Sequence, residues 1–377
     1  MPEARRREPW VRMEAQRREP WVRMEAQRRE PWVRMEAQRR EPWDRLNEDP
    51  MTEKIYRDAD VDMAPLEGKT VAVIGYGIQG KAQAANARDS GVKVIVGTRP
   101  AEESPSRKQA EADGFAAYSI GEATRLADVL LIELADPAQP PIYKAEIAPH
   151  LSAGKTICFC HGFNVLYGAI QPPEDVNTVL FVPNAPGHFV RQKYLDGEGI
   201  YGCVAVDHDA TGDALAIALA VAKAVGSTRA GVVELSFQHE TEGDNFEEQI
   251  LYGGAIHLMK MCFQTMVDNG YPPSFAYAKA IRSLRSVIDV MDEVGIEEYV
   301  SRRCSRTAEF AIRTRGPRVI NEEAIREIFR ETERGEFARD WMQEWALGMP
   351  TLHRMRRTAA AGEMEQTGRQ WRQEFGK

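Results

Sequence analysis

Three side chains in this sequence have types and spacing suited to proton and metal chemistry. His161 stands in Cys160-His161-Gly162-Phe163-Asn164, directly after the apolar run Thr156–Cys160. A histidine at a strand end titrates near neutral pH, so it can move a proton or bind an oxyanion; it can equally be a packing or capping residue. Asp244 and Glu248 lie four apart in Glu240-Thr241-Glu242-Gly243-Asp244-Asn245-Phe246-Glu247-Glu248-Gln249. In a helix that spacing puts both carboxylates on one face. Such a pair can hold one Mg²⁺, with water and substrate completing the octahedron. The competing reading is a solvated acidic helix start favoured by the helix dipole.

A second constellation reads as a phosphate cradle. Val71-Ala72-Val73-Ile74 is β-branched and apolar, passes into Gly75-Tyr76-Gly77-Ile78-Gln79-Gly80, and continues as helix-forming Lys81–Arg88. Strand, G-x-G-x-x-G and helix is the dinucleotide-binding order. Gly75 permits the tight turn, Gly77 lets the backbone approach the pyrophosphate, and Gly80 lets the helix pack on the strand. The helix N-terminus then offers free N–H groups to phosphate. Tyr76 and Gln79 complete the candidate cofactor turn. The next strand ends Val96-Gly97-Thr98-Arg99-Pro100, with no acidic residue for a ribose 2′-hydroxyl. Arg99 with Ser104 or Ser106 suits the 2′-phosphate of NADP, whereas Glu102 and Glu103 suit the free hydroxyl of NAD, so that choice stays open. Pro183-Asn184-Ala185-Pro186-Gly187-His188 forms a rigid turn near the same rim, adding Asn184 and Gly187 as candidates.

Positioning these residues requires alternating elements. Strands are expected at Thr70–Ile74, Val92–Val96, Val129–Leu134, Thr156–Cys160 and Thr178–Val182, with helices such as Lys81–Ser90, Arg107–Asp113 and Ile120–Leu126 between them. That alternation predicts an α/β fold with a doubly wound parallel sheet. From about Val204 helical periodicity dominates, at Ala210–Val225, Asp244–Asn269, Pro273–Val294 and Asn321–Arg334. The expected organisation is therefore an N-terminal dinucleotide-binding domain over residues 51–190 and an all-α domain over 191–377. Before them, residues 1–50 repeat an eleven-residue unit in which Arg-Glu-Pro-Trp recurs at Arg7, Arg18, Arg29 and Arg40. A proline in every unit interrupts a continuous helix, so the segment reads as a disordered extension. Met51 reads as a natural start.

Bulk properties narrow the class. A chain of 377 residues, 43% hydrophobic and with net charge −8, has room for two cores and lacks the basic balance of a nucleic-acid binder. No apolar run reaches the roughly 20 residues that span a bilayer, and the charged N-terminus holds no signal-peptide core. Cys158, Cys160, Cys203, Cys262 and Cys304 are odd in number and scattered, as expected of reduced thiols in a cytoplasm.

Taken in order, these motifs resemble the ketol-acid reductoisomerase family in its short, class I form. The resemblance runs from about Met51 to Arg357. It includes the glycine turn, Ala112-Asp113-Gly114-Phe115, His161-Gly162-Phe163-Asn164, Pro186-Gly187-His188, Asp207-x-Asp209-Ala210-Thr211-Gly212 and Thr228-Arg229-Ala230-Gly231. It continues through Thr241-Glu242-x-Asp244 with Glu248-Gln249, Ser305-x-Thr307-Ala308-Glu309, and Gly316-Pro317-Arg318. The resemblance implies a Rossmann domain, a knotted all-α C-terminal domain, and a homodimer whose active site is shared between chains. It implies conversion of 2-acetolactate and its homologue to dihydroxy acids, by a Mg²⁺-assisted alkyl shift followed by hydride transfer from NADPH. By the resemblance His161 is the family's histidine, Asp244 its metal-bridging aspartate, Glu248 the other carboxylate on the first Mg²⁺, and Ser305 its substrate-binding serine.

Three positions depart from the family pattern. Asn184 stands where the family has a lysine, and Lys279 and Ser283 stand where it has two glutamates that hold a second Mg²⁺ from the partner chain. Tyr277 before them and Asp289, Met291, Glu293 and Gly295 after them pin the register. An alkyl shift needs a ketone and its neighbouring alkoxide gripped by two metal ions. One ion remains expected here, and the Lys279 ammonium is expected to fill the second position, paired with Asp244 or a substrate carboxylate. The reading that follows is an NAD(P)-dependent, Mg²⁺-assisted oxidoreductase remodelled for a small hydroxy or dihydroxy acid in specialised metabolism. Remodelled members of the family resemble such a case, in which dehydrogenation is coupled to carbanion ring closure to a cyclopropanol. The alternatives are the ordinary enzyme of valine, leucine and isoleucine biosynthesis and a non-catalytic cofactor-binding homologue.

Overall fold

The computed structural model describes residues 53–99 and 104–376, all within the unit Glu53–Lys377. The repeat and Met51 therefore lie outside the described residues. Strands β1 (Ile55–Tyr56), β2 (Thr70–Ile74), β3 (Lys93–Thr98), β4 (Ala116–Ser119), β5 (Val129–Ile132), β6 (Thr156–Phe159), β7 (Asn177–Pro183), β8 (Gly202–His208) and β9 (Val232–Glu234) form one sheet in the order β1-β9-β8-β7-β6-β5-β2-β3-β4. The segment β4-β3-β2-β5-β6-β7 is parallel throughout. Its central strands β2, β5 and β6 are buried at every residue. Continuous β-branched and apolar runs make this possible, because helices cover both faces of such a sheet. From β2 the chain moves outward to β3 and β4, then returns to the other side of β2 as β5. Order thus reverses between β2 and β5, and the ligand crevice of such a sheet opens there, beyond the carboxyl ends of the strands.

Helix α1 (Ile78–Asp89) follows β2, α2 (Pro105–Ala112) follows β3 and α3 (Ile120–Leu126) follows β4; each lies within three residues of its expected place at either end. The doubly wound parallel sheet expected over Thr70–Val182 is present, and the sheet is extended at one edge by antiparallel pairings. After β7 the chain enters helix α4 (Gly187–Leu195), which lies along α1: Asn86 Nδ2 donates to Val190 O, and Arg191 reaches Asn86 and Asp89. The chain then re-enters the sheet with Gly202 beside Pro183, the end at which β7 stops, so β8 runs back antiparallel. β9 pairs parallel with β8, and β1 antiparallel with β9.

Helix α5 (Ala214–Val225) is apolar almost all round and buried along most of its length. Its helical periodicity groups it with the C-terminal half, yet it lies against β7 and β8. The sheet layer consequently reaches Glu234, and the passage expected at residue 190 falls inside it.

Beyond β9 the chain is helical. α6 (Phe237–Phe246) continues through a π-helical segment, Glu247–Tyr252, into α7 (Gly253–Asp268). α8 (Pro273–Tyr277) likewise continues through Ala278–Arg282 into α9 (Ser283–Val294). α10 (Arg306–Arg315), α11 (Glu322–Glu333), α12 (Glu336–Ala346), α13 (Pro350–Ala360) and α14 (Glu363–Phe375) complete the chain. α7, α8 with its continuation, and α14 share a small core: Phe263, Ala276, Tyr277 and Ala280, with Trp371 against them. α9 buries none of its residues, and Leu284 and Ile288 on it are exposed. Among the described residues no helix is long and apolar enough to cross a membrane.

Candidate active site

The glycine turn opens at the reversal of strand order. Gly75 has φ +102°, and a Cβ there would lie 2.7 Å from Glu133 O. A Cβ on Gly80 would lie 2.2 Å from Gly75 O, and one on Gly187 would lie 2.2 Å from Ile78 O. These glycines let strand, helix and the Pro186–Gly187 turn approach one another. Gly77 differs, because a Cβ there would meet nothing. Its backbone is open to the crevice, as a phosphate-approach position must be. Gln79 Nε2 donates to Ala185 O at 2.7 Å and ties the two turns together.

Tyr76 was expected among the cofactor residues, but its side chain points into the body. Its ring packs edge-on to Phe115 and its hydroxyl donates to Asp113 Oδ2 at 2.9 Å. The aromatic ring finds more apolar surface beneath the turn than above it. Arg99 is exposed at the end of β3, Ser104 is buried at the start of α2, and Ser106 is half-buried in its first turn. Glu102 and Glu103 lie outside the described residues.

His161 follows β6 at the same rim. Its Nδ1 lies 2.9 Å from Asp136 Oδ2, and its Nε2 lies 3.5 Å from Asp244 Oδ2, beyond good hydrogen-bond geometry. Asp136 was absent from the sequence reading. It sits four residues beyond β5, at the carboxyl end where ligand groups gather, which is the signal that would have found it. Asn164 Nδ2 donates to Asp136 O at 2.8 Å and to Gln139 Oε1 at 2.9 Å, fixing this loop.

Glu240, also missed, is buried, and its Oε2 accepts from Gly162 N and Thr241 Oγ1, both at 3.1 Å. A Cβ on Gly162 would lie 2.2 Å from Thr241 Oγ1, so α6 packs directly on the His161–Gly162 turn. That contact brings Asp244, one helical turn further, opposite His161.

The electrostatics follow from this packing. Burial disfavours the imidazolium of His161, but the Asp136 hydrogen bond and the charges of Asp136, Glu240 and Asp244 outweigh it and carry its pKa up to about 9. Burial pushes Glu240 up to about 7, against the pull of His161 and Gly162 N. Asp244 is raised by burial and by the charges of Glu247 and Asp136, and Glu248 by burial and by Asp244.

Asp244 and Glu248 fit a divalent cation in one respect: they are neighbouring carboxylates held above their usual range, and a cation would relieve both. No group of three or more His, Cys, Asp or Glu side chains arranged to hold a metal occurs among the described residues. The donor set suits a single ion whose other ligands are water and substrate, as Mg²⁺ accepts.

Among the described residues, Asn184, Lys279, Ser283 and Ser305 make no hydrogen bond or ion pair with this cluster within one chain. Asn184 is exposed, with its N–H bonded to Tyr201 O. Ser305 caps α10, its Oγ accepting from Ala308 N at 3.1 Å. Ser283 Oγ donates to Ala278 O. Lys279 is exposed, with Nζ 5.5 Å from the Phe275 ring centroid. The expected pairing of Lys279 with Asp244 does not occur within the chain. The helix packs through Ala276, Tyr277 and Ala280, which turns Lys279 outward. All five cysteines are free thiols. Cys158 is buried in the core, while Cys160 accepts a hydrogen bond from Gln83 Nε2 at 3.4 Å.

Comparison with known proteins agrees with this architecture. Residues 65–231 match the family model described as "Acetohydroxy acid isomeroreductase, NADPH-binding domain", and residues 237–376 match "Ketol-acid reductoisomerase, C-terminal domain". The chain is 43% identical over 324 residues to the ketol-acid reductoisomerase (NADP(+)) of Methanopyrus kandleri, spanning 86% of this chain and 98% of that protein. It is 44% identical over 327 residues to the protein of the same name from Methanocaldococcus jannaschii, with the same coverages. Among solved structures, an NADH-preferring ketol-acid reductoisomerase from an uncultured archaeon superposes with a TM-score of 0.82 at 39% identity, covering 86% of this chain and all of the other. An NAD-binding semialdehyde dehydrogenase protein from Cupriavidus necator, at 19% identity and TM-score 0.59, shares the fold alone; the match covers 72% of this chain and 99% of that one.

Proposed function

The chain belongs to the ketol-acid reductoisomerase family, and from that premise we propose that it is an NADPH-dependent enzyme acting on a small 2-hydroxy-3-keto acid at the His161–Asp136–Asp244 cluster. The observation that carries this reading is the location of that cluster, at the carboxyl rim of the sheet beside the glycine turn. The curated relatives' specificity favours NADP, with Arg99, Ser104 and Ser106 around its 2′-phosphate. When bound, NADPH supplies a hydride and Mg²⁺ polarises the substrate ketone. Asp244 and Glu248 would hold that ion.

This chain's residues manage the protons. Asp136 accepts from His161 Nδ1–H and keeps the imidazolium protonated at neutral pH, so Nε2–H is available to an oxyanion on the substrate. Glu240 orders the Gly162 backbone and, with a carboxyl that titrates near 7, can exchange protons near neutrality. Asn164 fixes the Asp136 loop, so the donor is already oriented when substrate arrives.

A second reading is favoured by Lys279 and Ser283. Neither can act as a carboxylate ligand for a second ion, so the alkyl shift would be lost while hydride transfer remained. The substrate would then be another hydroxy or dihydroxy acid of specialised metabolism, and dehydrogenation could acidify a neighbouring C–H for ring closure to a cyclopropanol. Assay of NADPH oxidation with Mg²⁺ and 2-acetolactate separates the two. Rapid turnover favours the reductoisomerase, whereas cofactor binding without turnover favours the remodelled oxidoreductase.

The active assembly in this proposal is a homodimer with a shared site. α9 is an amphipathic helix with no buried residue, and covering Leu284 and Ile288 with a second copy would remove their apolar surface from water. The same packing would carry Lys279, Ser283 and Ser305 of one copy toward the carboxylates of the other. Light scattering on the eluted protein tests this: a stable monomer would remove the shared site. The acidic chain is proposed to act in the cytoplasm, on a small molecule and not on nucleic acid or membrane.

A further inference from the structure

Behind the His161–Asp136 pair lies Gln139, a buried residue that carries no step of the proposed reaction. It opens the short helix Gln139–Ile142, which follows the turn Asp136–Ala138 beyond β5. Its relative exposure is 3%. Its Nε2 donates to Leu134 O at 2.7 Å and to Asp136 Oδ1 at 3.3 Å, and its Oε1 accepts from Asn164 Nδ2 at 2.9 Å. Both amide N–H groups and the amide carbonyl are therefore engaged. Two backbone carbonyls fix which end of each amide is which. Leu134 O and Asp136 O can only accept, so the groups of Gln139 and Asn164 that face them are the NH₂ ends.

Asp136 consequently meets a partner at each carboxylate oxygen: Gln139 at Oδ1, and His161 Nδ1 at Oδ2 at 2.9 Å. A carboxylate held at one oxygen swings about its Cβ–Cγ bond, because that torsion is broad and roughly two-fold. Held at both oxygens, its plane is set, and the direction of the His161 ring is set with it. Gln139 is itself anchored on two sides. Leu134 O ties it to the chain just past β5, and Asn164, in the short helix Phe163–Leu166, ties it to the segment that carries His161. A role in folding alone needs only those two anchors. The third bond, to Asp136 Oδ1, is the one that reaches the His161–Asp136 pair.

We propose that Gln139 is a positioning residue. By donating to Asp136 Oδ1 it holds the carboxylate plane so that Oδ2 receives His161 Nδ1–H, and it thereby keeps Nε2 directed toward Asp244. This rests on the reading of His161 as the proton donor of the site.

The test reads the His161 Nδ1–H proton by NMR in the full chain labelled with ¹⁵N-histidine, without cofactor, Mg²⁺ or substrate. A ring N–H bonded to a buried carboxylate gives a far-downfield resonance, and its loss in His161→Gln identifies it. Gln139→Met keeps the length of the side chain and cannot donate. In that variant the resonance should move upfield and its exchange with water should quicken on the order of tenfold, the effect of losing one hydrogen bond to a charged group. A lower melting temperature with the resonance and its exchange unchanged would make Gln139 a folding residue only and overturn the proposal. If Gln139→Met does not fold, the two side-chain amide protons of Gln139 are compared between wild type and Asp136→Ala. The proton facing Asp136 Oδ1 should exchange on the order of tenfold faster in Asp136→Ala, and the one facing Leu134 O should change by less than about twofold. Two protons that respond alike would overturn the proposal. A resonance that responds as expected in a chain that oxidises NADPH with neither 2-acetolactate nor any other small hydroxy acid would overturn the functional reading and leave the positioning of His161 standing.

Discussion

His161 Nδ1 lies 2.9 Å from Asp136 Oδ2, and this contact joins two loops that are 25 residues apart in the chain. It orients the ring so that Nε2 faces Asp244, and together with the charges of Asp136, Glu240 and Asp244 it outweighs the cost of burying an imidazolium. The arrangement makes His161 a proton donor at neutral pH, where an isolated histidine would mostly be neutral.

Asp136→Asn removes the charge and keeps the shape. The pKa of His161 should fall from about 9 toward its ordinary value, and kcat/KM near pH 8 should drop on the order of a hundredfold. A pH–rate profile checks this, since the basic limb should move toward neutrality. Stability should follow the same group. Its folded pKa is raised, so its contribution is full below the unfolded value near 6.5 and is lost as pH rises through about 9. Wild type should exceed Asp136→Asn by about 1–3 kcal/mol at pH 6 and by little above pH 9.5. Urea unfolding at the two pH values measures the difference.

Asp244 and Glu248 should be the main protein ligands for Mg²⁺. Free Mg²⁺ at a hundred times its Kd should stabilise wild type by about 2.7 kcal/mol, and Asp244→Asn with Glu248→Gln should lose that response in thermal melts. Both carboxyls are raised, so protons compete with the ion. Mg²⁺ affinity measured by calorimetry should therefore weaken between pH 8 and pH 5.5.

The glycines of the turn should separate folding from binding. Gly80→Ala drives a Cβ to within 2.2 Å of Gly75 O and should cost about 1–3 kcal/mol or more in overpacking. Gly77→Ala meets nothing, so its melting temperature should stay near wild type while NADPH affinity falls at least about tenfold, roughly 1.4 kcal/mol. Equal NADPH affinity in Gly77→Ala would place the phosphates elsewhere.

Lys279→Glu with Ser283→Glu should restore a second cation site if these positions face the carboxylates of a neighbouring copy. Mg²⁺ titration should change from one ion per chain to two, and 2-acetolactate turnover should rise. A stoichiometry that stays at one ion would show that these positions do not meet Asp244 and Glu248 in the assembly.

Much of this was legible from local pattern. The five strands expected between Thr70 and Val182 appear within a residue or two of their places, because buried parallel strands need continuous apolar runs and helices between them. The short strands β1, β4 and β9 carry no such signal. Two to four residues show no periodicity, and strands this short exist only because a neighbouring strand offers them a partner. α5 was misassigned for a related reason: an all-apolar helix reads the same whether it covers a sheet or sits in a bundle.

The sequence alone determined the glycine turn, the strand that leads into it, and which side chains had chemical capacity. Those depend on residue type and on spacing within a few positions, which covalent geometry converts directly into local structure. Tertiary structure decided which of those residues meet. It brought Asp136 and Glu240 to His161, turned Tyr76 inward and Lys279 outward, and set Glu133 between Gly75 and Gly80. Each of these outcomes rests on contacts between segments far apart in the chain or on which face of an element is buried. Packing fixes both, and no local pattern encodes them.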